Sequence, residues 1–404
     1  MATPLPSQPE FSRLQVLYDP ELQRRVNALR RPDNGTNWFY LAREYLFLCS
    51  AAGLVIAFYL GRAGWDLSVW WDVPVTLLGI LLMGIGQHRL VMLGHEASHY
   101  ALFRNRLLND LASDWLCMFP LFSVTHNYRL QHMPHHQYTN DPERDPDLVF
   151  MQATGHHLTV PVSPRRFLYR HVLRKLVWLP GLVRYVRVRA RHLATSGVFP
   201  GSERAEGRGS KLLYRIAAGY LLALIAALTA LVLWGGPWSL ALVPPAMLAG
   251  VLTFYALVPD RMYPRPAIRP IVSPRSWTFG RLTYFTLLFS ALAWLTYLTG
   301  APWALYYLLL WVVPLVTTFA FFMILREELQ HGDAGRGRFQ DTRNFEGNPL
   351  IRFAVFPMGM GYHLPHHLFP MVPHYHLQQL HTLLQSTEVY SRQAAGVEQI
   401  FHTE

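Results

Sequence analysis

The stretch His363-Leu364-Pro365-His366-His367 decides how this chain reads, because His132-Met133-Pro134-His135-His136 repeats it almost residue for residue. A further group, His95-Glu96-Ala97-Ser98-His99, stands upstream of both. Neutral imidazole is the commonest metal-binding side chain. Eight of them in three tight groups are hard to explain as packing. His95 and His99 are one helical turn apart and point the same way. In each His-x-x-His-His group the rings share a face if the segment is helical. Proline at the third position pushes the residue before it out of the α region and sits well in a first helical turn. Each triplet is therefore expected to straddle a helix start, with His132 and His363 just before it. That arrangement fans the rings around a volume.

The rest of the chain reads as the scaffold that brings these groups together. Of 404 residues, 51% are hydrophobic, 14% aromatic and only 15% charged, against about 25% charged in a soluble domain. The deficit points to a membrane protein. Net charge is +11, nearly all of it arginine, with Lys175 and Lys211 the only lysines. The basic residues cluster between apolar segments, where the positive-inside rule puts them, so a nucleic-acid partner is set aside. Cys49 and Cys117 lie in apolar segments without a Cys-x-x-Cys partner, and neither a disulfide framework nor a cysteine zinc site is implied.

Apolar stretches of membrane length fall at about 45–60, 73–93, 216–234, 240–258, 282–298 and 303–325. The expectation is an all-α, multi-pass integral membrane protein: about six transmembrane helices and a cytoplasmic helical cap holding the histidines. Residues 1–42 read as a cytoplasmic segment without a signal peptide, 43–384 as the membrane domain and 385–404 as a tail. Asp19-Pro20-Glu21 is a helix start, with Leu22, Val26 and Leu29 on one face. Residues 107–124 suggest an interfacial helix. Residues 163–194 suggest two basic amphipathic pieces, begun at Ser163-Pro164 and split at Pro180-Gly181, lying beside anionic headgroups. A polar loop follows at 196–209. With both termini inside, the outer turns carry Arg62 and no other Lys or Arg, and every histidine group falls on the cytoplasmic face.

His331 follows the sixth span as His95 follows the second. Glu328-Leu-Gln-His331 and Glu96-Ala-Ser-His99 share a Glu-x-x-His spacing that di-iron bundles use for ligands. With imidazoles so abundant, Glu96 and Glu328 read instead as partners orienting the rings. Asp145 and Asp147, just after the second group, read the same way. Nine histidines suit two metal ions, and all-nitrogen ligation suits iron, copper or zinc. His88, His156, His157, His171, His192, His381 and His402 read as ordinary surface or core residues; His126, His374 and His376 stay undecided. Two rivals come from other classes. His95-Glu96-Ala-Ser-His99 is literally the zinc metalloprotease motif, but such a site needs one more ligand and leaves most of the cluster unexplained. A metal transporter places its site near the bilayer midplane, whereas these groups lie at span ends.

At these residues the chain resembles the membrane fatty acid desaturase and hydroxylase superfamily, marked by three histidine boxes in this order around membrane spans. His95/His99, His132/His135/His136 and His363/His366/His367 match all three. The segment from Asn140 to Asp147 and the run from Gly361 to Pro373 are similar to segments of the family. The resemblance implies an oxidoreductase with two non-haem iron ions on the cytoplasmic side and O2 as co-substrate. It implies the eight box histidines as catalytic metal ligands, with His331 as the additional one. It also implies desaturation of the acyl chain of a lipid or fatty acyl thioester. The nearest alternative is a hydroxylase or ketolase of a fatty acyl, sphingoid or carotenoid chain. No His-Pro-Gly-Gly haem motif is present, so electrons are expected from a separate ferredoxin, or cytochrome b5 with its reductase.

Overall fold

The computed structural model describes residues 16–194, 210–335 and 337–401; His402, the side chain of His192 and the loop expected at 196–209 lie outside them. Helix α1 (Pro20–Leu29) begins as its sequence requires: the Asp19 carboxylate accepts the Leu22 N–H at 2.8 Å, and Leu22 and Val26 are buried. Helices α2 (Thr36–Gly61) and α3 (Asp72–Ser98) form a long antiparallel pair. Short helices α4 (Arg106–Ser113), α5 (Thr125–Gln137) and α6 (Pro146–Thr154) follow. Next come the basic α7 (164–177) and α8 (Leu179–Ala194). The Ser163 hydroxyl caps α7 by accepting the Arg166 N–H, and the break falls at Trp178, next to the expected Pro180.

Four more long helices are α9 (Lys211–Trp234), α10 (Pro237–Leu257), α11 (Pro274–Thr299) and α12 (Trp303–His331). The C-terminal part adds α13 (Pro349–Ala354), α14 (His363–Leu368) and α15 (Leu377–Gln385). Among the described residues, the one sheet is a parallel pairing of Arg343-Asn344 with Ala395-Gly396.

Six helices are long and apolar enough to cross a membrane. Their outward faces carry bare apolar side chains, such as Leu222, Trp234 and Leu257, each at least 70% exposed. Water makes such surfaces costly and lipid does not. Two helices overrun their apolar windows. α3 continues past residue 93 to Ser98, and α12 continues past residue 325 to His331. Hydropathy marks the apolar band; the backbone ladder ignores it. The helices therefore carry His95 and His331 out of that band on rigid stalks.

α3 and α12 meet at backbone contact. A Cβ on Gly84 would stand 2.8 Å from the Phe319 backbone nitrogen, the kind of close approach small residues permit between apolar helices. α12 is not continuous there: it takes a π-turn at Leu308–Val312 and breaks at Thr317. Backbone groups released inside lipid must be served by neighbours. Gln87 Nε2 donates to the Trp311 carbonyl at 2.8 Å, and the Thr318 hydroxyl donates to the Ile80 carbonyl at 2.7 Å. Gly84→Val is expected to part α3 from α12 and to lower both the thermal midpoint and the bound metal. Gly53→Val, where a Cβ meets nothing within 4 Å, is expected to change neither. Equal behaviour of the two variants in detergent melts would contradict this account.

α2 and α3 are also tied by charge. Arg89 grips Glu44 through Nε (2.5 Å) and Nη2 (2.8 Å), and its Nη1 donates to the Phe353 carbonyl at 2.9 Å. Both partners are buried. The C-terminal part of the chain is thereby fixed against the first helix pair.

Candidate metal centre

Four helices deliver the histidines. α3 brings His95 and ends with His99 as its C-cap. α5 brings His132, His135 and His136. α12 ends on His331, and α14 brings His363, His366 and His367. The third triplet opens a helix, as expected. The second does not: α5 starts at Thr125, whose N–H is held by Asp114 Oδ1 at 2.8 Å, and runs through the triplet with Pro134 inside it. Pro134 lies near the C-terminal end of α5, where it removes one ladder bond without breaking a long helix.

All nine expected ligands converge, in two groups. In the first, one ring nitrogen from each of His95, His99, His132, His136 and His366 lies within 4.8 Å of every other. His132 Nε2 stands 2.9 Å from the Nε2 of both His99 and His136, and His136 Nε2 stands 3.2 Å from that of His366. In the second, His135, His331 and His367 are gathered in the same way, and His363 Nε2 joins His331 Nε2 at 2.8 Å. The groups adjoin, with the His136 and His367 rings 4.2 Å apart.

Nε2 atoms this close leave no room for a proton on each. Neither ring nitrogen of buried His95 has a hydrogen-bond partner, and the buried His367 Nε2 also lacks one. Buried polar atoms are rarely left unpaired, so these lone pairs fit metal ions. Burial holds His99, His132, His136, His363, His366 and His367 well below the ordinary imidazole pKa. They are therefore in the neutral form that ligates.

The partners of the rings fix which nitrogen points inward. His135 Nδ1 meets Asp145 Oδ1 at 2.9 Å. Burial opposes charge on His135, but Asp145, Asp147 and Glu327 together outweigh it and push the ring up to about 10. Asp145 also caps α6, accepting the Asp147 N–H at 3.0 Å. His331 Nδ1 donates to the Asp341 carbonyl at 3.1 Å. The Thr139 hydroxyl donates to the His135 carbonyl at 2.8 Å and is left to accept from His367 Nδ1 at 3.3 Å. Glu96 Oε1 lies 3.5 Å from His95 Nδ1, while its Oε2 accepts the His374 backbone N–H at 2.8 Å. Asp147 is 3.9 Å from His135 Nδ1 and pairs with Arg189 at 3.3 Å.

Glu328 differs from expectation. Among the described residues no hydrogen bond joins it to a cluster ring, and it is held by His171 Nδ1 at 3.0 Å and by Lys175. Those two α7 side chains claim it, so His171, read as ordinary, anchors the basic helix to α12. The neighbouring Glu327, passed over in the sequence, is the carboxylate grouped with His135 and Asp147. Of the undecided histidines, His374 supports Glu96, His126 stacks on Trp277 at 5.6 Å, and His376 meets Gln379 at 3.0 Å.

Arg129 was also missed. On α5, one turn before His132, it donates to the Ala97 and Ser98 carbonyls at 2.9 Å each and grips Asp110 at 2.6 and 3.1 Å. It pins the end of α3 to the helix of the second triplet. A cavity of about 400 Å³, lined by Asn140, Asp145, Glu327 and His331 among others, opens beside the second group.

Comparison with known proteins adds to this geometry. A sequence model of the family described as fatty acid desaturase matches residues 71–260 and 251–394. A dihydrorhizobitoxine desaturase of Bradyrhizobium elkanii is 25% identical over 387 residues, covering 94% of this chain and 84% of that protein. An sn-1 oleoyl-lipid 12-desaturase of Picosynechococcus sp. is 27% identical over 37% of this chain and 39% of its own. A Delta(5) fatty acid desaturase of Caenorhabditis elegans is 33% identical over 34% of this chain and 28% of its own.

Proposed function

Because this chain belongs to the fatty acid desaturase family and is an oxidoreductase of the membrane, we propose that its nine clustered histidines hold two iron ions and that it places a double bond in an acyl chain. The carrying observation is the partition of the rings into two adjoining groups, five and four strong, with buried nitrogens that lack partners. That donor set answers the rivals as well: a protease motif employs one metal and a third ligand, and leaves most of these rings idle.

Irons bound there would supply the dioxygen activation needed to take hydrogen from an unactivated methylene. Conversion of –CH2–CH2– to –CH=CH– balances with O2, two electrons and two protons, and yields two waters. The chain's own residues place and protect. Asp145, Thr139 and the Asp341 carbonyl hold the Nδ1 side of His135, His367 and His331, so that Nε2 faces the centre. Burial excludes water from the ring cluster. The polar cavity beside His331 gives protons a way in. The electron donor is separate, a ferredoxin or cytochrome b5. Exposed Arg165, Arg166 and Arg170 on α7 offer it a basic landing face, which the positive-inside rule sets in the cytoplasm.

One observation favours a second substrate reading. The relative that matches nearly the whole chain is named for dihydrorhizobitoxine, whereas the lipid desaturases match about a third of it. The substrate would then be dihydrorhizobitoxine or a compound close to it, in place of a lipid acyl chain. Mass spectrometry of total lipids from a bacterial host, comparing the wild type with His366→Ala, tests the first reading. A lipid lighter by two hydrogens supports it, and one heavier by an oxygen turns the enzyme into a hydroxylase. Unchanged lipids beside an iron-loaded, reducible protein favour the second substrate reading.

A further inference from the structure

Away from the histidines, a second cavity of about 210 Å³ lies where α9, α11 and the loop after α10 meet α5. Its lining is mostly apolar, with Leu221, Leu282 and Phe285 among it, and Arg281 is the cation on its wall. Among the described residues no hydrogen bond or ion pair holds the Arg281 guanidinium. Arg275, on the preceding turns of α11, shows the contrast: it donates to Asp260 and to the Val258 carbonyl, both at 2.7 Å. Asp114 attracts Arg281 without contact and is itself engaged by the Thr125 N–H at 2.8 Å. Two of the tyrosine hydroxyls nearby are committed, Tyr255 to the Leu213 carbonyl at 2.5 Å and Tyr263 to the Tyr255 carbonyl at 2.6 Å, and Tyr214 stands on the wall beside Arg281.

An arginine cannot shed its charge, and a guanidinium in apolar surroundings is costly without an anion. Its fork matches carboxylate and phosphate oxygens. Trp277, Tyr214 and Tyr263 line the same cavity, as aromatic residues do where a bilayer meets water. Counting spans from His99 puts the start of α9, the end of α10 and the start of α11 on the side of the histidines. The volume suits a headgroup and its first few methylenes, since whole-ligand pockets run to about 300–1,000 Å³.

We propose that this cavity binds the anionic head of an amphiphile, a carboxylate or phosphate on Arg281, with the tail leaving along Leu221, Leu282 and Phe285 into the bilayer. The pocket is coupled to the metal centre through one helix. Asn127 lines it, His126 stacks on its Trp277, and His132 follows Asn127 by about 7.5 Å of helical rise.

The test reads binding and does not need turnover, so it stands or falls apart from the desaturase reading. Retention of radiolabelled palmitate, phosphatidylglycerol and uncharged hexadecanol is measured on the purified protein in a neutral detergent. The wild type is expected to bind palmitate or phosphatidylglycerol at least tenfold tighter than hexadecanol. Arg281→Gln should weaken the anion by ~10- to 100-fold, the worth of a charged hydrogen bond, with Arg281→Lys between. Ala218→Phe, which fills the cavity and keeps the charge, should weaken it equally. Unchanged metal content separates these effects from misfolding. Tighter palmitate assigns the site to a carboxylate amphiphile, and tighter phosphatidylglycerol assigns it to a bilayer lipid. Hexadecanol matching both anions on the wild type overturns the proposal, whatever the variants do. Anion binding that survives both Arg281→Gln and Ala218→Phe overturns it as well.

Discussion

His366→Ala is expected to abolish turnover, by more than about a thousandfold or ~4 kcal/mol of transition-state stabilisation, while leaving a folded, membrane-inserted protein. His366 is the one residue that α14 lends to the first group; His363 and His367 face the second. Its Nε2 stands 3.2 Å from that of His136, and its ring lies 4.6 Å from that of His95 and 4.9 Å from that of His99. Alanine there removes a nitrogen from the first group and leaves the second intact. Iron analysis should show metal lost from one group and kept in the other. His135→Ala should do the converse. His171→Ala removes one of the two partners of Glu328, leaves Lys175 on it, and should cost activity little. Turnover retained in both ligand variants would sink the two-group assignment.

The parts of this centre that were legible in the sequence are those written in short-range spacing. Box positions follow from i, i+3 and i+4, and six spans follow from runs of apolar residues. Long-range geometry was not legible. Adjacent carboxylates at Glu327 and Glu328 point to different neighbours, and spacing to His331 chose Glu328. What decided otherwise was the pair of donors His171 and Lys175, which folding brings up from α7. Nor could spacing divide a triplet. In α5, His132 and His136 serve one group while His135, on the same turn, serves the other. Local rules for proline placed His132 before a helix start, but the Asp114 contact at Thr125 begins α5 earlier. The sign of a chemistry sits in the sequence, whereas the sharing of rings between two centres is a product of packing.

Arg129 carries the second large effect. α3 ends at Ser98, so its last carbonyls have no partner in the helix. Two of them, Ala97 and Ser98, lie between the ligands His95 and His99 and are served by the Arg129 guanidinium at 2.9 Å. Asp110 balances its charge, and the Tyr100 ring packs under it at 4.0 Å. Arg129 and Asp110 are both buried. Arg129→Ala strands a buried carboxylate and the Ser98 carbonyl, while Ala97 keeps the Tyr100 N–H at 3.1 Å and Asn109 Nδ2 at 3.0 Å, at a cost of about 3–5 kcal/mol. Arg129→Lys is scarcely milder, because one ammonium cannot reproduce a planar fork. Loosening the turn between His95 and His99 should also lower activity and metal affinity ~10- to 100-fold. The double variant Arg129→Met/Asp110→Leu separates the two roles. It removes the stranded charge, so most of the stability should return. The Ser98 carbonyl still lacks its donor and α5 still lacks its tie to α3, so activity should stay low. If the double variant regained wild-type turnover, Arg129 would be a counter-ion and nothing more. Restored melting with depressed turnover would make it the residue that holds the first histidine group in register with the second.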